Sequence, residues 1–175
     1  MKTSLLFVCL IIHVTARGQN RVEKTTSLLT WLIKKDHITY LNAKSNAGTF
    51  YDTTALTKHA MVDESFKEIP GGCIKDMLSA DEVETFKKAP KMLMQTDWRK
   101  KYSQLKVKFM KNWSPYSTKT IYSFSEALYL NKNETRVLIG ENFWCGMTCG
   151  RMDLLLCEFI NGSWQLLGRV IIENE

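Results

Sequence analysis

The front half of the chain has helical spacing in two segments. From Val22 to Lys35 the apolar residues recur at positions 22, 28, 29, 32 and 33, which predicts an amphipathic helix. The threonines in this segment have a low helix propensity, so a strand remains the alternative. Ser79 followed by Glu82 is a capping-box pattern, and it predicts a second helix that begins there and ends before Pro90. The proline and glycines of 69–72 predict a turn between these helices.

In the back half, the pattern changes to the alternation and short apolar runs that are typical of strands. Asn161-Gly162 lies between two such runs and predicts a tight hairpin turn. The last four runs are joined by short turns, which predicts an antiparallel meander of about four strands in the C-terminal half, covered by the N-terminal helices. The predicted fold class is therefore α+β. The predicted strands are Ile38–Leu41, Leu105–Met110, Ile121–Leu130, Arg136–Trp144, Met152–Ile160 and Trp164–Ile172.

Residues 1–18 have the parts of an export signal. A basic residue lies near the start, Leu5–Ile12 is apolar, and small residues follow. Cleavage after Gly18 fits best, and cleavage after Ala16 is the alternative. The apolar run is well short of the ~20 residues that a membrane-spanning helix needs. We therefore expect this segment to be removed and residues 19–175 to form one exported domain, periplasmic or extracellular, without a stable membrane span.

The charge of the chain is moderate and argues against a nucleic-acid partner. The formal net charge is +6, and removal of Lys2 and Arg17 with the signal leaves +4, which is ordinary for a soluble domain. Basic and aromatic residues mix between Trp98 and Lys111. Within that stretch, Leu105 and Val107 alternate with lysines, as on a strand with one solvated face. We predict no nucleic-acid binding.

Four cysteines remain after the signal, and an even number in an exported chain favours disulfides. Cys145 and Cys149 flank a three-residue loop between two predicted strands, and each precedes a glycine that permits a tight turn. Facing residues at such a position have Cα atoms about 4.5–5.5 Å apart, which suits a disulfide. We therefore predict a Cys145–Cys149 bond. Cys73 with Cys157 is a possible second pair, and a buried free thiol at Cys157 is the alternative.

The spacing of the cysteines argues against two other uses. A thiol–disulfide oxidoreductase usually has Cys-x-x-Cys at the start of a helix, whereas the spacing here is Cys-x-x-x-Cys between predicted strands. A structural zinc site usually needs a second closely spaced pair, and Cys73 and Cys157 are isolated in the sequence. We predict neither a metal site nor a cofactor.

Three short motifs resemble one group of bacterial proteins. Tyr122-Ser-Phe-Ser-Glu126, Cys145-Gly-Met-Thr-Cys-Gly150 and Asn161-Gly-Ser-Trp164 are similar to the C-terminal pattern of small uncharacterised exported proteins of Bacteroidetes-type bacteria. The resemblance covers residues 121–172 and departs from the group at Ala127, where proline is usual, at Tyr129, where phenylalanine is usual, and at Arg151-Met152, where small residues are usual. It implies an exported chain with a Cys-Gly-x-x-Cys-Gly hairpin, and it implies no activity.

The sequence favours a binding protein over an enzyme, because no nucleophile elbow, phosphate-binding loop or dinucleotide motif occurs. The first hypothesis is an exported binding or accessory domain whose disulfide-bonded hairpin end contacts an extracytoplasmic protein or a glycan. Phe143, Trp144 and Met147 are the candidate contact residues, because apolar side chains around a fixed loop offer a rigid contact. Strand alternation leaves open whether Phe143 instead faces the core.

The alternative is an extracytoplasmic enzyme of hydrolase type. Glu126 with His59 or His37 would then supply acid–base catalysis in a concave pocket. A third possibility is a thiol–disulfide protein that uses Cys145 and Cys149. A polar pocket that contains Glu126 and a histidine would favour the enzyme, whereas a filled sheet face would favour the binding domain.

Overall fold

One long helix lies across a large mixed sheet. The computed structural model describes residues 20–45, 53–61, 68–89, 96–111, 118–146 and 149–174. The expected signal segment 1–18 and the candidate contact residue Met147 lie outside these ranges. Helix α1 is helical over 20–35, so the predicted amphipathic helix is confirmed. It buries Leu28, Leu29 and Leu32 in the core on one face of the sheet.

Helix α1 ends in a Schellman turn at His37. The amide of Asp36 donates to the carbonyl oxygen of Leu32 at 2.9 Å, and the amide of Ile38 donates to that of Ile33 at 2.9 Å. His37 adopts the left-handed backbone conformation that this turn requires, with φ of 50°. The turn directs the chain into the sheet and leaves the side chain of Asp36 only 10% exposed.

The described residues form nine strands: β1 (Tyr40–Asn42), β2 (His59–Met61), β3 (Glu68–Cys73), β4 (Lys108–Met110), β5 (Ile121–Phe124), β6 (Leu128–Tyr129), β7 (Arg136–Trp144), β8 (Gly150–Ile160) and β9 (Ser163–Asn174). Their order in the sheet is β3-β2-β9-β8-β7-β5-β1-β4, and β6 also pairs with β7. Strand β1 runs parallel to β4 and β5, and the other pairs are antiparallel.

The chain combines helices and strands, as an α+β fold does, but the prediction of a four-strand antiparallel meander is wrong. Strands β7, β8 and β9 do form a meander. Further strands extend the sheet on both sides, with β2 and β3 beyond β9, and β1 with β4 beyond β5. Strand β1 overlaps the predicted strand Ile38–Leu41, whereas β2 has three residues, too few for an alternation of apolar and polar residues to stand out in the sequence.

The single strand predicted at Ile121–Leu130 is divided into β5 and β6 by Ser125. The amide of Ser125 donates to the carbonyl oxygen of Gly140 at 2.9 Å. Its Oγ accepts a hydrogen bond from the Gly140 amide at 2.8 Å. The hydroxyl of Ser125 thus accepts the β7 hydrogen bond that its backbone carbonyl would accept in a regular ladder, so the chain leaves the regular strand geometry at this point.

The predicted turn at 69–72 is also wrong, because these residues belong to β3. Strand β3 pairs with β2 at His59–Cys73 and at Met61–Glu68, so the register shifts between the two pairs. Gly72 has φ of 80°, a conformation that glycine adopts readily at a bulge. The glycine that suggested a turn therefore allows an irregular edge strand.

Helices and short turns cover both faces of the sheet. Helix α1 and α3 (Trp98–Lys101) pack on one face, and α2 (Ala80–Lys87) packs on the other. Short 3₁₀ segments at Thr53–Thr57 and Ile74–Met77 complete the second layer. Helix α2 begins with the capping box of Ser79 and Glu82, so that prediction is confirmed. Within the described ranges, no helix is long and apolar enough to cross a membrane.

Candidate functional site

Strands β7 and β8 are joined at one end by the predicted disulfide between Cys145 and Cys149. The two Cα atoms are 5.2 Å apart, inside the expected range. The amide of Cys145 donates to the carbonyl oxygen of Cys149 at 2.9 Å. Gly146 has φ of 117°, which only glycine adopts at low cost. Both cysteines lie at strand ends, whereas the reactive cysteines of oxidoreductases lie at helix N-termini.

Three partly exposed residues next to the disulfide form what we call the tip surface: Tyr122, Phe143 and Arg151. Tyr122 and Phe143 are opposite each other on β5 and β7, and their ring centroids are 5.5 Å apart. Phe143 and Arg151 are opposite each other on β7 and β8, and the guanidinium lies 5.2 Å from the ring centroid. All three project from the face that α1 covers further along the sheet.

Trp144 lies on the opposite face of the sheet from Phe143, because successive residues of a strand alternate. Its indole crosses the paired residue Gly150. A Cβ at position 150 would lie only 3.2 Å from Cε3 of Trp144, so glycine at this position leaves room for the ring. The two candidate contact residues that the structure describes are therefore both at the surface of the disulfide-bonded end, on different sides.

A group of buried charges lies between the tip surface and the apolar core. We call it the Arg169 cluster: Asp36, Glu141, Asp153 and Arg169. The Nη2 of Arg169 is 3.2 Å from Oε2 of Glu141 and 3.9 Å from Oδ2 of Asp36. The Nε of Arg169 is 3.4 Å from Oδ2 of Asp153. One guanidinium thus faces three carboxylates, and the side chains of Glu141 and Asp153 are 2% and 1% exposed.

The three carboxylates differ in the number of cations that they contact. Asp153 accepts a hydrogen bond from Nε of Arg151 at 2.9 Å, and Asp36 accepts one from Nζ of Lys35 at 2.8 Å. Each of the three has one oxygen without a hydrogen-bond partner among the described residues, but the ion pair of Glu141 there is with Arg169 alone. Glu141 is therefore the least compensated carboxylate of the cluster.

Burial raises the pKa of several groups in this region. It raises the pKa of Glu141 to about 8, although the nearby charge of Arg169 opposes the change. Burial also raises the pKa of Asp153, and again Arg169 opposes it. The pKa of Tyr122 is raised by burial and then by the charges of Glu141 and Asp36. At neutral pH the Glu141 carboxyl is therefore largely protonated.

The Arg169 cluster was not predicted from the sequence, although part of it has a visible signal. Glu141 is in phase with the buried residues Val137 and Ile139 on β7. Asp153 is in phase with the buried residue Leu155 on β8. A charge at a position that alternation predicts to be buried is unusual, and two such charges on neighbouring strands would have indicated a buried polar site.

The structure does not bring Glu126 together with a histidine. Glu126 pairs with Nζ of Lys101 at 3.0 Å. His59 is exposed on β2, and from β2 to the β5–β6 segment is four strand spacings, about 19 Å. Glu126 lies near Tyr102, which is hydrogen-bonded to Thr25 of α1. His37 lies twelve residues after Thr25 in the sequence, which corresponds to about 18 Å along a helix axis.

The possible second disulfide is not present, because Cys73 and Cys157 are both free. The Sγ of Cys73 donates a hydrogen bond to Oδ2 of Asp76 at 2.9 Å. Cys157 is fully buried in the core that α1 covers, and burial raises the pKa of its thiol. Cys157 is thus the buried apolar thiol that the sequence offered as an alternative.

A second arginine, which is partly exposed, lies under α2. The Nη1 of Arg136 is 2.9 Å from Oε2 and 3.2 Å from Oε1 of Glu82, and its Nη2 donates to the carbonyl oxygen of Met77 at 2.8 Å. This pair lines a groove of about 800 Å³ between α2 and the turn that precedes β7. Glu82 also accepts a hydrogen bond from the amide of Ser79, so the pair joins the helix cap to the sheet.

The parts of the chain that the structure describes contain no group of three or more histidine, cysteine, aspartate or glutamate side chains arranged to hold a metal ion. No family model matches the chain, and neither a curated protein nor a solved structure matches it.

Proposed function

We propose that this protein is an exported binding domain that contacts an extracytoplasmic protein through the tip surface. The observation that carries the proposal is the position of Tyr122, Phe143 and Arg151 at a strand end that a disulfide closes. A disulfide is also consistent with export, because such bonds persist in oxidising compartments. The export signal expected at residues 1–18 is part of the proposal.

The composition and rigidity of the tip surface suit protein recognition. Aromatic residues and arginine are enriched in protein–protein interfaces, and tyrosine and arginine are among the residues that contribute most to binding. Arg151 is held by Asp153 at 2.9 Å and by the ring of Phe143. Because these contacts fix the guanidinium before a partner arrives, binding costs less side-chain entropy.

The packing of Phe143 favours a protein partner over a glycan. Stacking on a sugar needs an open aromatic face, but Arg151 lies over the Phe143 ring and Tyr122 packs beside it. The side chain of Arg151 is 28% exposed, and a guanidinium suits the backbone carbonyls and carboxylates of a protein. We therefore propose a protein partner, and the experiment includes a separate test for a glycan.

Site-specific photo-crosslinking tests the proposal. The photoreactive residue p-benzoylphenylalanine replaces phenylalanine at position 143 in one protein and at position 159 in the control. Phe159 is 38% exposed and lies on the same strand pair of the sheet, at the opposite end of β8. We expect a distinct crosslinked protein from position 143 in the exported fraction of the producing cell, and none from position 159.

The Arg151→Ala variant sharpens this test, because loss of a central interface residue lowers affinity about tenfold or more. The crosslinked product from position 143 should fall accordingly in that variant. Equal crosslinking from positions 143 and 159, or a product that Arg151→Ala leaves unchanged, would contradict the proposal. Binding of the protein to a glycan array, lost in Arg151→Ala, would replace the protein partner with a glycan.

A further inference from the structure

Glu141 is a carboxyl group that the fold buries without full compensation. Its side chain is 2% exposed, and its contact with Arg169 is 3.2 Å long. Its second oxygen, Oε1, has no hydrogen-bond partner among the described residues. An ionised carboxylate in such a place is costly, and uptake of a proton removes most of that cost.

Charged and titratable groups surround Glu141 from every strand and helix end that packs against it. Strand β9 contributes the cation Arg169, and the other groups belong to the end of α1, to β5 and to β8. These other groups are Lys35, Asp36, Tyr122, Arg151, Asp153 and Cys157. The acids Asp36 and Asp153 have cations of their own, in Lys35 and Arg151, so the proton resides on Glu141.

We propose that Glu141 is a proton-binding site that controls the arrangement of the tip surface. When Glu141 is neutral, Arg169 is shared with Asp153 and Asp36. When Glu141 loses its proton, the Arg169 guanidinium is drawn toward the new charge and away from Asp153, which it contacts at only 3.4 Å. The proton is exchanged with solvent water, so the step involves no other reactant.

The change reaches the tip surface through contacts that the structure contains. Asp153 holds the Nε of Arg151 at 2.9 Å, and Arg151 lies over the ring of Phe143 at 5.2 Å. When Arg169 moves away from Asp153, Asp153 attracts Arg151 more strongly. The guanidinium of Arg151 therefore shifts relative to the ring of Phe143. Control of partner binding by this shift rests on the proposed function, whereas proton binding by Glu141 does not.

Carbon-13 NMR of the purified protein, labelled at the glutamate carboxyl carbons, tests the proposal without a partner. We expect one carboxyl resonance that titrates with a midpoint near pH 8 and is missing from the Glu141→Gln variant. The exposed Glu84, whose Oε1 pairs with Lys87, gives a control carboxyl in the same spectra. The resonances of Phe143 and Arg151 should shift with the Glu141 midpoint in the wild-type protein and stay constant in Glu141→Gln.

Asp153→Asn separates proton binding from its transmission, because it removes the charge that links Arg169 to Arg151. In this variant Glu141 should still titrate, but Phe143 and Arg151 should no longer follow it. Titration of Glu141 in the same range as Glu84 would overturn the proposal, and so would tip resonances that ignore the Glu141 midpoint. Failure of Glu141→Gln to fold would also overturn it, because glutamine has the shape of the neutral acid. Success here together with failed crosslinking would refute the binding function alone.

Discussion

The two arginine sites of this sheet are paired in different ways. Arg136 is held by Glu82, whose two oxygens lie at 2.9 and 3.2 Å, and by a carbonyl oxygen at 2.8 Å, and its second carboxylate, Glu158, is more distant at 3.9 Å. Arg169 faces three carboxylates, and its shortest contact with any of them is 3.2 Å. A matched pair holds α2 on the sheet in one arrangement. In the Arg169 cluster one cation faces three acids, so the arrangement of the side chains depends on whether Glu141 carries a proton.

The largest expected effect comes from removing each arginine in turn. Arg169→Met leaves the buried charges of Asp36 and Asp153 without their shared cation and Glu141 without its partner, so we expect the free energy of unfolding at pH 7 to fall by about 3–5 kcal/mol. Arg136→Met is the control, and it should cost about 2 kcal/mol, because only charged hydrogen bonds to a partly exposed side chain are lost. Urea unfolding measures both. Equal losses would show that the two sites are energetically alike.

Lower pH should narrow the difference in the free energy of unfolding between these two variants. The carboxylates left by Arg169→Met can take up protons, which removes the repulsion among them. The gap measured at pH 7 should therefore decrease at pH 5. A gap that is independent of pH would mean that the loss at Arg169 is one of packing, not of charge.

The same substitution at the two glutamates should have a smaller effect, and it should destabilise the protein at one site and not at the other. Glu82→Gln keeps an acceptor for the Ser79 amide but weakens the pair with Arg136, so we expect a loss of about 2 kcal/mol at pH 7. Glu141→Gln should not destabilise the protein at pH 7, because the native carboxyl is already largely neutral there. Thermal and urea unfolding provide the measurement, and a loss in both variants would contradict the distinction.

Local sequence determined several parts of the fold, and these were predicted correctly. Strand β7 begins and ends at the predicted residues, Arg136 and Trp144. Asn161 and Gly162 have φ of 51° and 83°, the left-handed pair that a two-residue hairpin turn needs. The disulfide and the capping box also depend only on residues close together in the chain, so their spacing was sufficient.

Arg169 could not be placed from the sequence, because a bulge reverses the alternation of β9. Trp164 and Leu166 belong to the core under α1, which would put Arg169 on the opposite face. The register of β8 and β9 shifts between Leu156 and Cys157, and after this shift Arg169 faces α1 with Glu141. The fourth member, Asp36, is added by the end of a helix more than a hundred residues away. Such a site depends on tertiary packing and not on any local pattern.

The most direct test of the account is the pH dependence of stability in the wild-type protein and in Glu141→Gln. The folded-state pKa of Glu141, about 8, lies above the value of about 4.3 for an exposed glutamate. Between these values the folded protein binds one proton more than the unfolded chain, so the free energy of unfolding falls as the pH rises.

We therefore measure urea unfolding of both proteins from pH 5 to pH 7.5. Relative to Glu141→Gln, the wild-type free energy of unfolding should fall by up to about 1.4 kcal/mol for each pH unit. Substitution by glutamine removes only the Glu141 titration, so other titrating groups cancel in this comparison. Parallel profiles for the two proteins would show that Glu141 carries no additional proton in the folded state, and would contradict the account.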